Sequence, residues 1–105
     1  MTTNRIDMLA QFLAENPADA FARYGLAMEY AKAGQVDTAM EHFSKLLELH
    51  PDYAAGYFMA AQTLSKSGRS GEARKFLENG IGAAARTGNA HAKGEMEAML
   101  AELGE

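Results

Sequence analysis

Three histidines, fourteen carboxylates and no cysteine make up the metal-ligating side chains of this chain. His42 and His50 stand eight residues apart in one helical stretch, which separates them by about 12 Å along a helix axis, too far to share an ion. His91 stands alone near a turn. The absence of cysteine removes disulfides, thiolate nucleophiles and thiolate metal sites together. The stretch "SGRSGE", residues 67–72, superficially resembles a phosphate-cradling loop. It lacks the Gly-Lys-Ser/Thr ending of such loops, and no strand precedes it. Gly68 reads better as a helix stop, and Ser70 as the N-cap of the next helix. No serine sits in a Gly-x-Ser-x-Gly elbow, and the carboxylates are spaced as solvated helix faces. The residues therefore predict no catalytic group, no bound metal and no cofactor. They direct attention to surfaces.

The 105 residues suffice for a single domain, which removes roughly 65% of its unfolded surface from water. Hydrophobic residues make up 48% and charged residues 23%, as in a soluble globular protein. A net charge of −4 supplies no basic field for nucleic acid or anionic lipid. Residues 62–93 hold six basic and two acidic side chains, and residues 94–105 hold four acidic and none basic. The bases are scattered and not interleaved with aromatics, so they read as solvated faces. The N-terminus, "MTTNRIDMLAQFLAENP", mixes Asp7, Gln11 and Glu15 among its apolar residues. It reads as neither a signal peptide nor a membrane span, which needs about 20 apolar residues in a row. The expected location is the cytoplasm.

Apolar residues recur with helical period nearly everywhere, and Ala, Leu, Met and Glu favour helices. Glycine reaches the left-handed cap conformation without a side-chain clash, so Gly34 and Gly68 are expected to end helices. Proline is tolerated in a helix's first turn, so Pro17 and Pro51 are expected to begin new ones. The spacing predicts six helices, at residues 4–15, 18–33, 36–49, 52–67, 70–87 and 90–103.

Residues 17–50 superimpose on residues 51–84 with six identities, namely Pro17/Pro51, Ala20/Ala54, Ala27/Ala61, Lys32/Lys66, Gly34/Gly68 and Ala39/Ala73. They fall at the helix start, the inter-helix turn and the small-residue packing positions. Pro51 is thus the joint between two copies of one helix–turn–helix unit. A 34-residue helical hairpin of this pattern resembles the tetratricopeptide repeat family. Leu26-Ala27, Tyr30, Ala39, Phe43 and Pro51 fit that pattern in the first copy, and Tyr57, Ala61, Leu64, Gly68, Ala73 and Leu77 in the second. Arg23 stands where a large aromatic is usual, Ala60 and Gly80 are smaller than usual, and no proline closes the second copy.

The resemblance implies an all-α, right-handed superhelix of about six antiparallel helices in a single domain. Residues 4–16 would be an N-terminal flanking helix, 17–50 and 51–87 the repeats, and 88–105 a capping helix. Met96, Met99, Leu100 and Leu103 reproduce a first-helix core face, with Glu95, Glu97 and Glu102 on its polar side. Gly80 and Gly82 would each cost about 1 kcal/mol inside a helix. Close approach of a neighbouring backbone is the favoured reason for them, and a kink the alternative.

The resemblance also implies a concave groove lined by each hairpin's first helix. It would present Phe21, Tyr24, Met28 and Lys32 from one copy and Phe58, Met59, Gln62, Ser65 and Lys66 from the other. Some family members grip a partner's C-terminal carboxylate with lysine and asparagine there. Tyr24, Met28, Phe58 and Gln62 in those slots predict an apolar groove instead, unless they pack against one another, against the last helix or in the core. On the first helix, Ile6, Leu9 and Leu13 form one face, and Met8 and Phe12 widen it to roughly 160° by the 100° rotation per residue. A helix packed on one neighbour needs about 100°, so Met8 and Phe12 are candidates for self-association. The expected function is a non-enzymatic module that binds a peptide or helical segment of another protein. The alternative is a unit that assembles with its own copies as a homodimer or larger oligomer. Neither nucleic acid nor membrane is an expected partner.

Overall fold

The computed structural model describes residues 4–103, and these form six α-helices and no strand. They are α1 (Arg5–Glu15), α2 (Ala20–Lys32), α3 (Val36–Leu49), α4 (Ala54–Lys66), α5 (Ser70–Arg86) and α6 (Ala90–Leu103). The chain divides into two compact units that meet in sequence at His50 and Pro51.

In the first unit, α2 packs on both α1 and α3. Asn4 caps α1 by accepting the Asp7 N–H at 2.8 Å, and Asp19 caps α2 by accepting the Ala22 N–H at 2.8 Å, which satisfies donors the helices cannot pair themselves. Ile6, Leu9 and Leu13 lie one turn apart and pack on Ala22, Leu26 and Tyr30 of α2. An Arg5–Glu29 ion pair of 2.9 Å links the same two helices. Phe43 and Leu46 of α3 are wholly buried; side chains of this size contribute about 1.5–3 kcal/mol each on burial.

In the second unit, α5 packs on α4 and α6, and α4 also touches α6. Leu64, Leu77 and Met96 supply its largest fully buried side chains, one from each helix. Ala27 and Ala39 in the first unit and their counterparts Ala61 and Ala73 in the second have no exposed surface. These matched alanines allow the helices of each hairpin to approach closely.

Three turns share one device. Gly34, Gly68 and Gly88 have φ of +80°, +78° and +70°, where any side chain would be strained. The glycine N–H groups bond Ala31, Ser65 and Ala85, and the next residues' N–H groups bond Tyr30, Leu64 and Ala84. This Schellman pairing satisfies carbonyls that the ending helices leave free.

Three expectations need correction. Pro17 and Pro51 do not open helices, because they stand two residues before the capping positions Asp19 and Tyr53, in the turn itself. Their fixed φ and missing N–H shape the joint instead. Ser70 is the first residue of α5, not its cap; Arg69 holds the cap position, and its guanidinium bonds Glu72 at 2.8 and 2.9 Å. The two glycines of α5 differ, since the helix runs unbroken through both. A Cβ at Gly80 would lie 2.5 Å from Met96 Sδ and 2.6 Å from Tyr57 Cβ, whereas a Cβ at Gly82 would meet nothing within 4 Å. Close approach explains Gly80, but of the Tyr57 and Met96 side chains and not of a backbone, and nothing in the structure explains Gly82.

Candidate partner-binding site

On α2, Phe21, Tyr24, Met28 and Lys32 follow the spacing of one helical stripe. Phe21 is 75% exposed, and Tyr24 is half-buried with its ring edge toward Phe43, centroids 6.4 Å apart at 68°. Met28 is half-buried, and Lys32 is exposed with its ammonium 3.7 Å from Glu29.

On α4, Phe58 and Gln62 lie one turn apart and form one wall of a cleft of about 320 Å3. Glu95, Ala98, Met99 and Glu102 of α6 form the other. Met59, Ser65 and Lys66 do not line this cleft. Met59 and Ser65 are half-buried and Lys66 is exposed. Phe58, Ala98 and Met99 give the cleft an apolar lining, Gln62 adds a neutral amide, and the exposed Glu95 and Glu102 put two carboxylates on its α6 rim. Such a surface binds by burying a partner's apolar side chain and orienting its polar neighbours.

The sequence offers packing against the last helix only as an alternative to an open groove, and it names no residue of α6 as part of the site. The spacing puts Met99 on the core face, but it is half-buried, unlike the fully buried Met96. Glu95 and Glu102 stand at i−4 and i+3 from Met99. That stripe was available as a signal that one methionine faces outward.

The first unit holds a second group of side chains that no motif announced. Arg23 Nη1 donates toward His42 Nδ1 at 3.3 Å, and Arg23 Nη2 donates to the Pro17 carbonyl at 3.0 Å. The His42 ring stacks on Tyr30, centroids 5.5 Å apart at 2°. Burial holds the His42 pKa below the usual histidine range, and the Arg23 charge lowers it further against a weaker opposite pull from Glu41. Arg23 Nε is buried and finds no acceptor among the described residues. His50 Nε2 donates to the Ala18 carbonyl at 2.7 Å, so Arg23 and His50 together hold the α1–α2 turn. His91 lies 3.5 Å from Glu95. All three histidines thus have structural partners, and among the described residues no three His, Asp or Glu side chains gather as a metal site.

In the second unit the residue matching Arg23 is Tyr57. Its hydroxyl donates to the Pro51 carbonyl at 2.7 Å. Burial raises its pKa, partly offset by Arg86.

Comparison with known proteins settles what these hairpins are. Residues 30–94 match the tetratricopeptide repeat family. A TPR repeat-containing protein of Pseudomonas aeruginosa is 33% identical over 98 residues, covering 93% of each chain. The chain belongs to the tetratricopeptide repeat family. The solution structure of a protein from Bordetella parapertussis has a TM-score of 0.81 at 26% identity, covering 97% of this chain and 89% of that one. The type III secretion translocator chaperone SycD of Yersinia enterocolitica gives 0.82 at 19% identity, covering 93% of this chain and 68% of that one. That last likeness shows the fold alone. Tetratricopeptide repeats are helical repeats that serve as protein–protein interaction modules and are typically non-enzymatic. None of this chain's described helices is long and apolar enough to cross a membrane.

Proposed function

We propose that this tetratricopeptide protein binds a peptide or helical segment of another protein through the cleft between α4 and α6. The cleft itself carries the reading. Phe58 and Met99 offer apolar contact, and Gln62 offers both a hydrogen-bond donor and an acceptor in the same cleft. The stripe of exposed Phe21 and half-buried Tyr24 and Met28 on α2 offers a second apolar surface. Each buried anchor contributes about 1.5–3 kcal/mol, against about 4–15 kcal/mol lost on association. A cleft of this size therefore supports modest affinity.

A photo-crosslinking amino acid at Ala101, which is exposed three residues beyond Ala98 on α6, tests the site in cells. The expected result is a covalent adduct with a partner polypeptide that Phe58→Ala or Gln62→Ala strongly reduces, while helicity by circular dichroism holds. Adducts undiminished by both substitutions would refute the site.

The exposure of Met8 (58%) and Phe12 (48%) favours a second reading, association between copies through α1. Light scattering at high micromolar concentration should then show a dimer that Met8→Ser with Phe12→Ser returns to monomer. A wild-type chain that stays monomeric removes this reading.

A further inference from the structure

We infer that the segment received by the α4–α6 cleft is cationic as well as apolar, an inference that rests on the partner-binding reading above. Among the six described residues that line the cleft, two are ionisable, and both are acids, Glu95 and Glu102. Seven residues apart on α6, they stand two turns and about 10.5 Å from each other along the axis. Ala98 and Met99 lie between them on the same stripe.

The nearby cations leave this rim anionic. Lys93 is 2.9 Å from Glu97, which does not line the cleft. Lys66 does not line it either. His91 approaches Glu95 at 3.5 Å but carries charge only when protonated. The facing wall, Phe58 and Gln62, is neutral.

An acidic ligand would bring like charge against both carboxylates, and a neutral one would offer no opposite charge to either. A segment with lysine or arginine on either side of an apolar residue matches the apolar lining and the two carboxylates together. Complementarity of this kind selects partners more than it raises affinity. It also weakens with salt, because the carboxylates are exposed.

The test is a phage-displayed library of random 16-residue peptides, selected on the full chain and sorted by loss of binding to Phe58→Ala and to Ala98→Trp. The second variant fills the cleft from an exposed position and guards against a folding defect in the first. The expected clones lose binding to both variants and carry net positive charge around an apolar residue. Their synthetic peptides bind about fivefold more weakly to a Glu95→Gln, Glu102→Gln double variant at low salt, and the difference closes at 0.5 M sodium chloride. Cleft-dependent clones that are neutral or acidic, or indifferent to the double variant, overturn the inference and leave the cleft standing as a site. A selection yielding no clone sensitive to either cleft variant overturns the site reading and the inference with it.

Discussion

At position 23 the first hairpin carries an arginine, and 34 residues later the second carries Tyr57. Each donates a hydrogen bond to the carbonyl of the proline six residues before it. Around this shared bond the interiors diverge. His42 and Tyr30 accompany Arg23, and the matching residues in the second hairpin are Phe76 and Leu64. Leu46, fully buried, matches Gly80, over which Tyr57 and Met96 close. The repeat holds the proline turn and the glycine stop constant. What fills the space between is free to be a polar cluster in one copy and a packed aromatic in the other, provided the bond to the joint survives.

Exchanging residues between the hairpins tests that view. The largest effect is expected from Gly80→Leu, which imports the first hairpin's residue. The new Cβ alone would press on Tyr57 Cβ, which cannot rotate away, so urea denaturation should show a loss of about 3 kcal/mol. Gly82→Ala, two residues on and unobstructed, should instead gain about 0.5–1 kcal/mol. Equal behaviour of the two sites would break the packing account.

Arg23→Ala comes next, at about 2 kcal/mol, because it removes the bonds to Pro17 and His42 together. Arg23→Tyr combined with His42→Phe should recover most of that loss, since it imports the apolar solution and removes the unpaired Nε. Strict additivity of the two substitutions in a double-mutant cycle would show that they do not act as a unit. Tyr57→Phe should cost about 1 kcal/mol for the single bond to Pro51. A thermal midpoint unmoved by it would remove the shared-latch comparison.

The smallest effect is one of pH. His42 is held below its unfolded value of 6.5, so the unfolded chain takes up the proton first as pH falls. The stability linked to neutral His42 is therefore fully present above pH 6.5 and is lost as pH drops through the lowered folded value. The groups acting on it are Arg23 from α2 and Glu41 from its own helix. Melting profiles across this range should flatten in His42→Phe, and the second hairpin, with Phe76 in that slot, should add no such slope.

Much of the architecture was legible because its punctuation is chemical. Gly34 and Gly68 end helices where only glycine fits without strain, and the 34-residue offset between Pro17 and Pro51 marks the joint. α2 and α4 start two residues later than a first-turn proline predicts, because the prolines stand in the turn and Asp19 supplies the side-chain cap to α2. Gly80 and Gly82 looked alike in sequence, since only the placement of Tyr57 and Met96 separates them. Phe58 and Gln62 were legible as groove positions on a first helix, but the α6 residues opposite them were not. Whether Met99 turns inward or outward depends on how α6 rests on α5. The Arg23–His42–Tyr30 group left a quieter trace, three matched slots that all differ in polarity between the copies.

The Arg23–His42 contact has a further consequence at the level of single protons. A guanidinium has no acceptor, so the imidazole nitrogen facing it at 3.3 Å must present its lone pair, and the ring's one hydrogen belongs on Nε2. Opening of the first hairpin would free that ring to exchange between its two neutral forms. Nitrogen-15 shifts of His42 would then gauge the closed state from within, with no added label on the surface.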